Sequence, residues 1–273
     1  MRQKSARALG AEHPTTLANM GNLAATYQSQ GRLVEVENLR ILVRDTNLRL
    51  QGEEHIGTLV SVANVAETYN SQSRYKEAEE IYIQMNETCF KTLGRTHSIT
   101  LRSMSNLAFT YRAQGRWNEA EILGAKVMGI SLNVLGKGHP ESLTSMGALA
   151  LAYRRTGRYK EAVALEGEVL ETRKQVLGHE HPESLRSMIN LSATYKKEGR
   201  YKEAEEYGIQ AMESSLRLLG HESPISLYGM SNLASIYLAQ GRWPGSRKVV
   251  CVGNGDECAN IWEDAHHHHS EHV

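Results

Sequence analysis

Two sets of side chains recur at a fixed spacing and could carry chemistry. Asn22, Asn64, Asn106, Asn190 and Asn232 fall in one register of 42 residues, with Ala148 at the missing place. A carboxamide both donates and accepts, so a row of them can clasp an extended peptide backbone whatever its side chains. An Asn inside a helix is mildly unfavourable and needs a reason. The structural alternative is that each Asn braces the neighbouring helix. The second set is cationic. Arg102 and Arg186 stand four residues before this column, Arg112, Arg154 and Lys196 six after it, and Arg155 and Lys197 one further on. That spacing shares roughly one helix face. The third to fifth copies therefore carry a basic stripe, with Glu67 and Glu198 as the nearby acids. On a concave surface such a stripe would favour an acidic peptide or a C-terminal carboxylate, with arginine making bidentate contacts. A solvated, charge-neutralised face is the alternative.

Other candidates point away from catalysis. GxSxG, HExxH, GxGxxG and CxxC are all absent, so the chain is expected not to be an enzyme and no cofactor is implied. His13, His55, His97, His139 and His181 lie one repeat apart, about 10 Å if stacked like packed helices, too far for one metal to bridge. Loop packing or capping is their expected role. Cys251 and Cys258 have the wrong spacing for a compact zinc knuckle, and the run His266 to His269 binds metals without specificity. No metal site is expected. Cys89, among apolar neighbours, reads as buried and inert. The Arg of each Gly-Arg pair, three residues before Glu35, Glu77, Glu119, Glu161 and Glu203, reads as structural, reaching a carboxylate of its own or the next hairpin. The glutamates of the EAEE segments read as solvent-facing.

The elements that must position these residues are repeats. Segments such as HSITLRSMSNLAFTYRAQGR begin at residues 13, 55, 97, 139, 181 and 223, without insertion or deletion. Leu101, Met104, Leu107, Ala108 and Tyr111 show the apolar spacing of a helix. This helix A runs from about the Pro column to the residue before Gly31, Gly115, Gly157, Gly199 and Gly241, where glycine can take a left-handed cap; Ser73 is a weaker stop. A second helix, B, ends at Gly52, Gly94, Gly136, Gly178 and Gly220. Such a hairpin cannot bury its faces alone, so neighbours must stack. The column Ala24, Ala66, Ala108, Ala150, Ser192 and Ala234, with Val36, Ala78, Ala120, Ala162 and Ala204, permits close helix approach. The Leu, Ala and Tyr columns read as core.

The pattern Leu-Ala-x-x-Tyr-x-x-x-Gly-Arg-x-x-x-Ala resembles the tetratricopeptide repeat. The 42-residue length, the His-Pro start and Asn-Leu-Ala-x-x-Tyr are similar to its kinesin-light-chain subtype. Such arrays also resemble the sensor arrays of fungal and bacterial nucleotide-binding receptors, although no P-loop GxxxxGK[ST] is present. The resemblance implies an all-α, right-handed superhelical solenoid of antiparallel hairpins, with helix A lining a concave groove. It implies a noncatalytic protein-interaction scaffold that binds a peptide. A sensor or oligomerisation fragment of a larger receptor, and a cargo adaptor of the kinesin-light-chain type, are the alternatives.

Residues 1–12 read as the end of a helix B, 13–242 as five full repeats plus helix A of a sixth, and 243–273 as a disordered tail. The 31 basic and 31 acidic residues give zero formal net charge, which argues against a general nucleic-acid or membrane-surface binder. An odd number of Cys, three, suits a reducing compartment. No apolar run approaches the ~20 residues that span a bilayer. A cytoplasmic protein with a protein or peptide partner, and room for self-association, is the expectation.

Overall fold

The computed structural model describes residue 10 and residues 12–242, and no strand occurs among them. The expectations for residues 1–9 and 243–273, the Cys251–Cys258 and His-run metal question included, lie outside the described residues. The helices are α1 (Pro14–Ser29), α2 (Leu33–Gln51), α3 (Ile56–Ser71), α4 (Tyr75–Thr92), α5 (Ser98–Ala113), α6 (Trp117–Leu135), α7 (Pro140–Arg155), α8 (Tyr159–Leu177), α9 (Pro182–Glu198), α10 (Tyr201–Leu219) and α11 (Pro224–Ala239). Odd-numbered helices are the A members of the hairpins and even-numbered ones the B members. The chain is an all-α solenoid of helical hairpins, and it divides into two compact units, residues 1–134 and 135–273.

The first five A helices start the same way, whereas the sixth begins at Ser223 without a side-chain cap. His13, His55, His97, His139 and His181 are the N-caps, and in each the Nδ1 accepts the backbone N–H two residues on, at 3.0–3.2 Å. This satisfies one of the amides that a helix start leaves unpaired. The capping role expected of the histidines is the one they play. Ser or Thr at the second or third helical position adds a clasp. Thr16, Thr100 and Ser184 donate to the carbonyls of Gly10, Gly94 and Gly178, six residues back, at 2.8–2.9 Å.

Each helix A also ends the same way. The N–H of Arg32, Arg74, Arg116, Arg158, Arg200 and Arg242 donates to the carbonyl five residues back, that of Tyr27, Tyr69, Tyr111, Tyr153, Tyr195 and Tyr237. This six-to-one bond defines the Schellman turn, which needs a left-handed residue before the Arg. Glycine supplies it at φ 72–85°, and Ser73 adopts φ 61° in the second copy. The same Arg folds its guanidinium over the same Tyr, with centroid distances of 4.0–4.7 Å in all six turns. Backbone and side chain of one residue thus lock the hairpin corner, each ring contact worth about 0.5–1 kcal/mol at an exposed site.

The first unit packs α1 on α2, α2 on α3, α3 on α4 and α4 on α5. Its core holds Leu59, Ala66, Ala78, Tyr82, Met85, Cys89 and Leu107, and a second cluster holds Leu17, Met20, Ala24, Val36 and Leu39. The second unit packs α7 on α8, α8 on α9, α9 on α10 and α10 on α11. There Leu170, Leu185, Ile189, Leu191 and Ala211 form one cluster, and Ala204, Met212, Leu233 and Ile236 another. The small column behaves as its composition requires. Ala24, Ala66, Ala150 and Ser192 are fully buried, as are Val36, Ala78, Ala162 and Ala204 opposite them. The Ser192 hydroxyl donates directly to the Ala204 carbonyl at 2.6 Å, which only a close helix approach allows.

Two expectations about charge need correcting. The expected bond within one hairpin is present, as from Arg32 to Glu35 and from Arg200 to Glu203, but where Arg74, Arg116 and Arg242 reach further it is to the preceding hairpin, not the next one. Arg74 bonds Glu77 of its own hairpin and Glu37 of the one before, Arg116 bonds Glu119 and Glu79, and Arg242 bonds Glu205. Glu79 and Glu205 of the EAEE segments, with Glu37 of the same column, are therefore half-buried, not solvent-facing. Gln72, Gln114 and Gln240 complete the clasp by donating to the same three carboxylates. The reason is geometric. The turn of one repeat lies beside helix B of the repeat before it, and a long Arg reaches back across that seam.

Candidate peptide-binding faces of the A helices

In the first unit the expected residues gather around two side chains that sequence reasoning missed, Arg40 of α2 and Tyr82 of α4. Arg40 is almost covered. Its Nη1 donates to the Asn64 carbonyl at 2.8 Å and the Thr68 hydroxyl at 2.9 Å, its Nη2 to Gln28 at 2.7 Å, and Glu67 stands 3.6 Å away. Tyr82 is fully buried, and its hydroxyl donates to the Ala63 carbonyl at 3.4 Å. Burial, then the Glu67 charge, push its phenol well above the ordinary range, while Asn106, Arg102 and Arg40 pull the other way. Asn22 is exposed and Asn64 half-buried.

Arg112 is the odd member of its column. Gln28 accepts from Arg40, Asn70 donates to Thr110 at 3.0 Å, Arg154 donates to Asn190 and Thr194, and Lys196 donates to Ser235 at 2.6 Å. The Arg112 guanidinium forms no hydrogen bond or ion pair with any described residue. It rests 5.5 Å over the ring of Phe109, itself 47% exposed, and burial pushes its pKa down.

In the second unit the charge of Arg154 reaches Lys196. Burial, then the charges of Lys197 and Arg154, lower the Lys196 ammonium. Arg154 Nη1 reaches the Asn190 carbonyl and the Thr194 hydroxyl, both at 3.3 Å, and Tyr228 donates to Asn190 Oδ1 at 3.2 Å. Arg186 is exposed and ion-paired with Glu183, which also bonds Arg173. Arg155 and Lys197 are exposed. Asn232 departs from the expectation of a ligand clasp. It is buried, and its Nδ2 donates to Ser192 at 2.9 Å, so it braces α9 against α11.

The helix-B column Arg40, Tyr82, Gly124, Glu166, Gly208 escaped notice because no residue type recurs in it. The available signal was its inverse relation to the helix-A column: a cation at 40 goes with neutral Gln28, and an acid at 166 with Arg154. A cleft of about 670 Å³ lies elsewhere in the first unit, between Ser73, Tyr75, Lys76, Gln114 and Arg116. Its arginines are already spent on Glu37, Glu77, Glu79 and Glu119. Among the described residues no group of His, Cys, Asp and Glu could hold a metal ion, and no helix is long and apolar enough to cross a membrane.

Stacked helical hairpins with polar A faces define a protein-interaction repeat array. The tetratricopeptide repeat family matches residues 58–98, 99–175, 167–214 and 183–248, and the chain belongs to it. A putative kinesin light chain of nearly identical TPR-like repeats from Podosopora anserina is 32% identical over 76% of this chain and 98% of its own, with TM-score 0.67. BtubC (BKLC) from P. vanneervenii is 18% identical over 81% of this chain and 89% of its own, with TM-score 0.70. A signal-transduction ATPase with a tetratricopeptide repeat sensor from Pyrococcus horikoshii is 13% identical over 88% of this chain and 35% of its own, with TM-score 0.66. The last two share the fold. No curated protein sequence matches the chain.

Proposed function

We propose that this array is a noncatalytic scaffold that captures an acidic peptide segment on its A-helix faces. Asn64, Asn106 and Asn190 would engage the peptide backbone, with Asn22 an exposed outer member of the row. Arg102, Arg112, Arg154, Arg186, Lys196 and the exposed Arg155 and Lys197 would engage carboxylates. The observation that carries this reading is Arg112. A half-buried cation with no hydrogen-bonding partner is costly to leave unpaired, whereas its polar equivalents in other copies are all bonded. A ligand carboxylate would supply the missing acceptors, two at once in a bidentate pair.

The test is a binding comparison between wild type and the double variant Arg112→Glu, Arg154→Glu, with fluorescent hexaglutamate and hexalysine as probes. Wild type should prefer hexaglutamate and lose affinity as salt rises, because exposed charges are screened over about 8–10 Å. The double reversal should cost at least tenfold in affinity while leaving the helical circular-dichroism signal intact. Equal affinity for both probes, or indifference to salt and to the reversal, would sink the reading.

A further inference from the structure

Glu166 of α8 is a buried acid that the proposed capture of peptide does not use. It is 5% exposed, and its Oε2 has no hydrogen-bond partner among the described residues. It lies in the column of Arg40 and Tyr82, the helix-B position that projects between two successive A helices. The groups facing it are few. From α7 comes Arg154, with Nη1 3.9 Å from Glu166 Oε1. From α9 comes the Thr194 hydroxyl. Its neighbours one turn away on α8 are Ala162, Val169 and Leu170, all buried and apolar. The next cation, Lys196, is turned to Ser235 of α11.

We propose that Glu166 is the internal counter-ion of Arg154, standing where a ligand carboxylate would compete, so that it sets how strongly this part of the array takes an acidic partner. The inference rests on the acidic-peptide reading above. The first repeat supports it by inversion. There the cation is on helix B, Arg40; Gln28, Thr68 and the Asn64 carbonyl accept its hydrogen bonds, and its acid, Glu67 at 3.6 Å, is more than half exposed on helix A instead of buried beneath it. At the fourth repeat the cation is on helix A and the chain has placed an acid under it. An incoming carboxylate near Arg154 brings a second negative charge beside Glu166. Two carboxylates that share one cation in a site of low dielectric do not both stay ionised. Glu166 is the one already disfavoured as an anion, since burial raises its pKa. Its carboxylate then takes a proton from solvent as the ligand carboxylate settles on Arg154. Glu166 is in this sense a positioning residue, one that acts through Arg154 and need not touch the ligand.

The experiment is calorimetric titration of the full chain with hexaglutamate at pH 7, in two buffers of different ionisation enthalpy, for wild type, E166Q and Arg154→Gln. Wild type is expected to take up a fraction of a proton per bound peptide, at most about one half, the limit for a one-unit rise in the pKa of a single group. E166Q should take up none and bind about three- to tenfold tighter, the scale of a coupling of up to one unit between two ionisations. Arg154→Gln should bind more weakly and lose the uptake. Folded E166Q that binds no more tightly than wild type, or that keeps its proton uptake, would overturn the inference while leaving salt-sensitive acidic-peptide binding in place. Absence of hexaglutamate binding by both wild type and E166Q would remove the acidic-peptide reading and this inference together.

Discussion

At the scale of single residues, Glu166 is the place where burial and charge conflict most openly. Burial raises its carboxyl pKa, and neither Thr194 nor Arg154 fully offsets this. A group raised on folding contributes stability below its unfolded pKa, and that contribution is lost as pH rises through its folded pKa. E166Q, which removes the charge and keeps the shape, is therefore expected to stabilise the protein at pH 7 by about 1 kcal/mol, the scale of one poorly satisfied buried group. The gain should shrink as pH falls towards the carboxylate range, because the wild-type acid then becomes neutral as well. Urea melts at several pH values would check this. A gain that persists unchanged at acid pH would mean that the charge is not the cause. Ser73 is a second local conflict. Its φ of 61° is where the other five A–B turns carry glycine, and the left-handed region costs a side-chain-bearing residue about 1 kcal/mol or more. Ser73→Gly should raise stability by about 0.5–1 kcal/mol, slightly reduced by the loss of a 3.3 Å contact from Tyr75. A thermal melt that moves down would show that the serine hydroxyl matters more than its backbone.

At the scale of the element, each hairpin depends on a seam of small residues. Ala150 and Ala162 are both fully buried, and the equivalent pair in the next hairpin is joined by the Ser192-to-Ala204 bond. Ala150→Leu forces three more carbons into a contact that has no room for them. A loss of roughly 1–3 kcal/mol is expected from overpacking, read as a lower midpoint in thermal or urea unfolding. An unchanged midpoint would mean that the column tolerates volume and is not a close contact. The hairpin corner is the other determinant of the element. Tyr, Gly and Arg act there as one unit: the glycine allows the Schellman turn, the Arg amide closes it, and the Arg guanidinium covers the Tyr ring.

At the scale of the molecule, successive repeats are clasped by charge as well as by apolar contact. Hydrogen bonds from Arg32, Arg74 and Arg116 hold Glu35, Glu77 and Glu119 below the usual carboxylate range. Backbone amides, then Arg158 and Arg200, do so for Glu161 and Glu203. Burial alone would raise Glu37, but the bonds from Arg74 and Gln72 more than offset it. Depressed carboxylates contribute stability that is present above their unfolded pKa and lost as pH falls through their folded pKa. The whole array should therefore lose stability progressively between about pH 5 and pH 2, opposite in sign to the effect at Glu166. Arg116→Gln, which cuts the bonds to both Glu79 and Glu119, should flatten that loss and accelerate hydrogen exchange in α4 and α6. An acid profile identical to that of wild type would show that the clasp contributes nothing measurable, as many exposed pairs do not.

The sequence by itself determined the repeat, the helix boundaries, the small-residue seam and the Gly-Arg turns, because each depends on near neighbours along the chain. A Schellman turn needs a permissive residue four after its Tyr, and a helix face needs a period of 3.6; both are written in local spacing. The histidine caps were legible for the same reason, since Nδ1 reaches an amide only two residues away. Tertiary structure decided the direction of the Arg clasp, the bracing role of Asn232, the isolation of Arg112 and the burial of Glu166. All but the isolation of Arg112 turn on a partner 12 to 40 residues distant and on which hairpin lies beside which; Arg112 has no polar partner among the described residues. The Asn and basic columns look uniform when aligned. Their side chains differ in role because what faces them changes from one repeat to the next.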